Sequence, residues 1–211
     1  MIKGMLKTGL FLFVVAAISG VLLAYTQSLT APVIEKNQKD AEEKALNLVL
    51  PSLRFSDEIT SEKDGKKITY RVGYDKNGDL TGAVFKVSPK GFGGLINTMV
   101  GINKEGQVVN YKILSLSETP GLGSKLTSDD FTNKFKKLLE TNKTPIFKVK
   151  KDKGDVDAVT AATISSRAFC VGINEALNNF NIFKEQILAN KYSPSKDNKQ
   201  NGSPNSIGGT K

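Results

Sequence analysis

Three short segments of this chain carry residue types whose spacing could do chemistry. The first is Asp157-Ala158-Val159-Thr160-Ala161-Ala162-Thr163-Ile164-Ser165-Ser166, where small residues and hydroxyls crowd against the expected start of a helix. A helix N-terminus offers unpaired N–H groups and a partial positive charge, which together make a ready site for a phosphate. The plain alternative is an N-cap, with Ser165 or Ser166 closing the helix and the alanines merely packing. The second segment is Glu118-Thr119-Pro120-Gly121-Leu122-Gly123. Pro-Gly at its centre suits a type II turn. The flanking carboxylate, hydroxyl and apolar side chain are what a planar ligand with polar edges would need. The third is Lys90-Gly91-Phe92-Gly93-Gly94, three glycines around one aromatic, which reads either as a wide turn or as a place where backbone approaches a ligand closely.

Composition narrows the chemistry. The 211 residues include no His, no Trp and one Cys. That excludes His-dependent triads, imidazole proton shuttles and His-ligated metal or haem sites, and a lone thiolate holds no iron–sulfur cluster. Any redox chemistry therefore falls to an organic cofactor, with no metal site expected. Cys170 reads as buried packing on the last helix. The net charge of +9 comes from lysines scattered along the chain, without an Arg-rich run or interleaved aromatics. It reads as a solvated basic surface with some attraction to anionic lipid, not as a nucleic-acid site.

The elements that must position these segments follow from the patterning. No charged residue occurs between Thr8 and Ile34, and Gly9 to Tyr25 is almost wholly apolar. Roughly 20 apolar residues span a bilayer, so residues 9–29 read as a transmembrane anchor. Lys3 and Lys7 precede it, which keeps residues 1–8 cytoplasmic and puts the bulk of the chain outside. A cleaved signal peptide has a similar start, but no small-x-small cleavage site follows the apolar run. Residues 30–52, charged and ending at Pro51, read as a helical stalk that docks on a partner, with Ala41, Ala45, Leu48 and Val49 as its apolar stripe.

Residues 53–190 read as one α+β domain with a mainly antiparallel sheet. Ile68, Tyr70, Val72 and Tyr74 alternate with polar residues, and the Asp75–Asp79 turn leads into Ala83, Phe85 and Val87. A second hairpin pairs Thr98–Ile102 with Val108–Leu116 across Lys104-Glu105-Gly106. Thr127 and Asp130 resemble a capping box for a helix with Phe131, Phe135, Leu138 and Leu139 on one face. A last helix is expected from about Ser165 to Leu188, with Phe169, Ile173, Ala176, Leu177 and Phe180 buried. Residues 191–211 are so rich in Ser, Asn, Lys and Gly that a disordered tail is expected.

Asp157…Thr160-Ala161-Ala162-Thr163, taken with Glu118-Thr119-Pro120-Gly121-Leu122-Gly123 upstream, resembles the FMN-binding domain family. Within it the chain is similar to the G-subunit of the Rnf ion-translocating oxidoreductase, and to the related C-subunit of the sodium-translocating NADH:quinone reductase. The likeness covers the anchor and nearly all of the domain. In that family Asp-x-x-Ser/Thr-Gly-Ala-Thr carries FMN on its last Thr through a phosphoester, which implies covalent FMN on Thr163. The resemblance further implies that Glu118, Thr119, Leu122, Gly123, Thr160 and Ala162 are cofactor neighbours, with Glu118 a candidate for tuning the flavin. The Gly91–Gly94 turn matches the family's glycine-rich segment. One position departs from the pattern, since Ala161 stands where the family has Gly.

The function implied is electron relay in a membrane complex that couples ferredoxin oxidation and NAD+ reduction to ion movement. No residue need act as a general acid or base, so no catalysis is expected of the isolated chain. The implied partners are the other Rnf subunits, including a second membrane subunit with covalent FMN, and a metal-dependent flavin transferase that attaches the cofactor. Related respiratory or extracellular electron-transfer chains, and a non-redox binding module whose Thr163 segment is only a helix cap, are the alternatives.

Overall fold

The computed structural model of the chain describes residues 2–63 and 65–190. Met1 of the expected cytoplasmic segment and the whole tail read for 191–211 lie outside the described residues. The chain divides into two compact units, one ending at Glu43 and one beginning at Lys44.

The first unit is helical and belongs to α1 (Ile2–Val49), which continues through Pro32. Proline lacks the N–H that would reach back to Ser28, so one helical bond is missing there without ending the helix. From Leu10 to Leu29 the large apolar side chains are exposed, among them Phe11, Phe13 and Leu22. Among the described residues this is one stretch long and apolar enough to cross a membrane. Polar side chains return after Pro32, where Lys39 and Glu35 pair at 2.7 Å one turn apart.

The second unit is α+β. Six antiparallel strands follow: β1 (Arg54–Phe55), β2 (Ile59–Lys63), β3 (Lys66–Tyr74), β4 (Leu80–Val87), β5 (Ile96–Asn103) and β6 (Val108–Leu116). The sheet runs β1-β3-β4-β5-β6, and β2 pairs with the other end of the same β3 edge. The hairpin turns fall where the sequence places them. Asp75 caps the first, its Oδ1 accepting from the backbone N–H groups of Asn77 and Asp79.

One face of the sheet buries Tyr70, Val72, Phe85, Ile96 and Val100 against α3 (Thr163–Ala189). The α3 residues on this side, Phe169, Ile173, Ala176, Phe180, Phe183 and Ile187, recur every three or four positions. α2 (Asp129–Thr141) closes the end of this layer. Tyr111, Phe131, Phe135 and Phe169 meet there edge to face, with ring centroids 4.7–5.3 Å apart. Such pairs contribute about 0.5–1.5 kcal/mol each beyond area burial, which fixes the N-terminal half of α3. Ser128 caps α2, its Oγ accepting from Phe131 N–H. The cap is thus one residue later than the expected Thr127, which sits in a short 3-10 turn (Gly123–Thr127) and donates to Ser124 O.

The opposite face of the sheet is covered too. Ala45, Leu46, Val49 and Leu50 pack on Val84 and Met99. Gly101 allows this approach, because a methyl there would overlap the Val49 carbonyl. Domain packing therefore begins at Lys44, before the boundary near residue 53 that the sequence suggested, and the end of the expected stalk is part of the domain.

Cys170 lies 3% exposed on α3, and burial, followed by the nearby Asp152 charge, pushes its thiol from the ordinary 9.0 up to about 12. Since thiolate is the reactive form, the folded chain should hold about a thousandfold less of it than the unfolded chain at mildly alkaline pH. An aromatic disulfide reagent should find no reactive thiol in the native protein and one per chain in denaturant; rapid native labelling would contradict this packing.

Candidate functional site at the start of helix α3

Residues 159–162 make the approach to α3. Ala162 N–H donates to Val159 O at 3.0 Å, closing a turn with Thr160 and Ala161 in the middle. Ala161 has φ +63, the left-handed conformation that favours glycine. The turn is pinned from inside by Ser166, whose Oγ accepts from Val159 N–H and donates to Ala162 O, both at 3.0 Å.

Neither serine suggested as a cap has that role. Ser165 and Ser166 lie inside the helix at 1% and 0% exposure, and the N-cap position is Ala162, whose side chain caps nothing. The first-turn amides of Thr163, Ile164 and Ser165 thus have neither an intrahelical acceptor nor a side-chain cap. The first turn also contains no acidic residue. The uncapped amides at this end of a 27-residue helix suit an anion, and one carboxylate, that of Glu118, already stands against the first turn through Ser165.

Ser165 is committed elsewhere, donating to Glu118 Oε2 at 2.8 Å. The other oxygen of that carboxylate, Oε1, accepts from Phe92 N–H at 2.8 Å and Gly93 N–H at 3.3 Å. Glu118 is only 9% exposed, so one buried side chain joins all three segments singled out in the sequence. Two glycines make this possible. A methyl on Gly91 would overlap Glu118 Oε1, and one on Gly123 would overlap Oε2. The Pro120-Gly121 turn forms as expected, with Leu122 N–H donating to Thr119 O at 3.1 Å and Gly121 at φ +76.

Together these segments enclose a cleft of about 350 Å³, within the size range of small-molecule sites. Of the residues named from the sequence, Glu118, Thr119, Leu122, Gly123, Ala162 and Thr163 line it. Thr160 does not; it is exposed in the turn ahead of α3. Phe92, Ala161, Ile164 and Ser165 line it as well. Phe92 and Ile164 were not assigned from the sequence. The signals were a single aromatic among glycines and adjacency to Thr163. Three walls are exposed apolar side chains, Phe92 at 69%, Leu122 at 42% and Ile164 at 52%. A larger hollow of about 860 Å³ lies between the β5–β6 turn and the C-terminal half of α2, and none of the three segments reaches it.

Outside the cleft, Arg167 grips Asp152 with two bonds of 2.6 and 2.7 Å, tying α3 to the 3-10 turn Lys150–Asp152. That hydrogen bond holds the Asp152 carboxyl below the ordinary carboxylate range and raises Arg167. Asp157, which opens the motif, pairs with Lys150 at 2.8 Å and lines a separate hollow beside α2 instead of the cleft.

Ala161 gives a direct test of this local geometry. A left-handed Ala costs about 1–2 kcal/mol, against about 0.4–1 kcal/mol for the extra unfolded-state freedom of Gly. Ala161→Gly should therefore stabilise the detergent-solubilised chain by up to about 1 kcal/mol, read from its denaturant midpoint. A loss of stability would mean that the turn does not strain this residue.

The same segments fall within stretches that are similar to known proteins. The model of the FMN-binding domain matches residues 91–178, which span the Gly91 turn, the Glu118 segment and Thr163. The model of the RnfG N-terminal region matches residues 1–49. The ion-translocating oxidoreductase complex G-subunit of Shewanella piezotolerans is 33% identical over 93% of this chain and 99% of its own length. The G-subunit of the Na(+)-translocating ferredoxin:NAD(+) oxidoreductase complex of Acetobacterium woodii is 31% identical over 83% and 91%. The G-subunit of the proton-translocating ferredoxin:NAD(+) oxidoreductase complex of Clostridium ljungdahlii is 28% identical over 79% and 86%. The solved structure of Shewanella oneidensis NqrC aligns with a TM-score of 0.43 at 20% identity, covering 63% of this chain and 70% of that one, too distant a likeness to add to the assignment. The chain belongs to the G-subunit family of ion-translocating oxidoreductase complexes, with an FMN-binding domain behind an N-terminal apolar helix.

Proposed function

We infer that this chain is the electron-transfer subunit of a membrane-bound ferredoxin:NAD+ oxidoreductase that moves ions, and that it holds FMN by a phosphoester bond to Thr163 Oγ1. The reading rests on Thr163 itself. It is a half-buried hydroxyl at the uncapped end of a long helix, in a cleft with apolar walls, within the stretch that matches the FMN-binding domain model.

The residues present suit such a cofactor. The uncapped first-turn amides of Thr163, Ile164 and Ser165 lie at the same helix end as Thr163 Oγ1 and would be available to a phosphate carried there, whose charge the helix dipole would favour. Thr119, exposed at the rim, offers a hydroxyl to a polar ring edge, while Leu122 supplies apolar surface. Glu118 holds the walls in place, and as a lining carboxylate it would act on a ring bound in the cleft. Ala162 and Gly123 are small where the backbone must come near the ligand. Thr160 acts through the turn that presents Thr163. Bound FMN supplies one- and two-electron transfer.

Attachment is a phosphoryl transfer. Thr163 Oγ1 forms the bond to the phosphorus of the FMN half of FAD, and its proton passes to a base of a metal-dependent flavin transferase. The bond from that phosphorus to the AMP half breaks, and AMP leaves. An exposed turn followed by a helix end suits presentation to such an enzyme. The partners proposed are the other subunits of the complex, one of them a second membrane subunit with covalent FMN. Lys3 and Lys7 ahead of the apolar stretch support a cytoplasmic N-terminus with the domain on the opposite side of the membrane.

A denaturing gel viewed under ultraviolet light, after co-expression with a flavin transferase, tests the linkage. The wild-type band should fluoresce, Thr163→Val should be dark, and Thr163→Ser should retain a reactive hydroxyl and some signal. A dark wild-type band, or a bright Thr163→Val band, would rule the linkage out.

A further inference from the structure

Phe92 is a large aromatic side chain left 69% exposed on a stiff piece of backbone. Its turn is closed by Gly91 N–H donating to Gly94 O at 2.7 Å, and its base is held by the bridge between Lys90 and Leu95. Phe92 and Gly93 both direct their N–H groups to Glu118 Oε1. Gly93 and Gly94 press on Ser117, where a methyl on Gly93 would overlap the Ser117 carbonyl. The backbone of the turn thus faces the protein, while the Phe92 ring is left at the cleft with Leu122 and Ile164. Because Glu118 Oε2 also accepts from Ser165 in the first turn of α3, the ring is fixed relative to the helix end that bears Thr163.

An apolar ring held rigidly in the open, beside a cleft and on the same carboxylate as the anchoring helix, is arranged for a flat apolar ligand surface. Aromatic rings attract such surfaces at centroid separations of roughly 4.5–7 Å, offset or edge-on. We propose that Phe92 is the aromatic wall against which the flavin ring rests, and that Glu118 is the residue positioning that wall. This rests on the reading that FMN is carried on Thr163 and adds where its ring lies.

The chain contains no Trp, so Phe92→Trp introduces a single indole, which quenches flavin emission on contact by donating an electron to the excited ring. The test uses the full chain, solubilised in detergent after co-expression with a flavin transferase. Attachment is read first on a denaturing gel, and native emission is then normalised to the amount of flavin attached to each variant. In the native state, flavin emission of Phe92→Trp should fall several-fold below wild type and return to it on denaturation. Undiminished native emission per attached flavin in Phe92→Trp would overturn the proposal while leaving the linkage intact. A dark wild-type band would instead overturn the linkage itself.

The role of Glu118 is read in the Phe92→Trp background. Glu118→Gln still reaches both Phe92 N–H and Ser165 and should keep the quenching. Glu118→Ser is too short and should restore several-fold emission. Equal emission from these two variants would remove Glu118 as the positioning residue. Should Glu118→Ser fail to fold, loss of quenching in Glu118→Gln would decide against the role and retained quenching for it.

Discussion

Burying a carboxylate without a cationic partner is costly unless hydrogen bonds replace its water, and the site is built around Glu118, which forms no ion pair among the described residues. Glu118 receives two backbone N–H groups from the Gly91–Gly94 turn and one hydroxyl from α3. The positive end of α3 adds to this compensation. Charge-assisted bonds are stronger than neutral ones, and each contributes about 1.5–3 kcal/mol. Removing the carboxylate would leave buried donors from two different segments unsatisfied. The cleft therefore exists because three stretches of chain share one acceptor, and the glycines at 91 and 123 are the concession that brings them close enough.

The remaining architecture keeps that junction in place. The aromatic group of Tyr111, Phe131, Phe135 and Phe169 locks α3 to β6 and α2 one to two turns below Thr163. On the outer side, Arg167 and Asp152 form a two-point bond to the neighbouring 3-10 turn. Between these supports the first turn of α3 projects its amides toward the cleft. A cofactor joined covalently there would meet a helix end fixed from both sides, as electron transfer over short distances requires.

Much of this was legible in the sequence because it is written in local patterns. The alternation from Ile68 to Tyr74 gives β3, and Asp75 with Gly78 gives the turn that follows. The three-four spacing from Phe169 to Phe180 gives the buried side of α3. What could not be read there depends on partners far along the chain. Ser165 and Ser166 look like caps until their acceptors and donors are seen, and Glu118 lies 47 residues from Ser165. The left-handed conformation at 161 is concealed by an alanine that glycine would have advertised. The continuous run Thr98-Met99-Val100-Gly101-Ile102 does carry a signal for burial on both faces, since it lacks the polar alternation of a half-exposed strand.

That second buried face has a practical side. Ala45, Leu46, Val49 and Leu50 are the cover of Val84 and Met99, and Asn110 Nδ2 donates to the Leu48 carbonyl at 2.8 Å. A soluble fragment trimmed at Pro51, where the sequence most invites a cut, would uncover an apolar strip along β4 and β5 and leave the Asn110 donor without its acceptor. Such a fragment would tend to self-associate through the bared strip. Trimming within the polar stretch ahead of Lys44 removes the lipid-facing residues while leaving the sheet its lining.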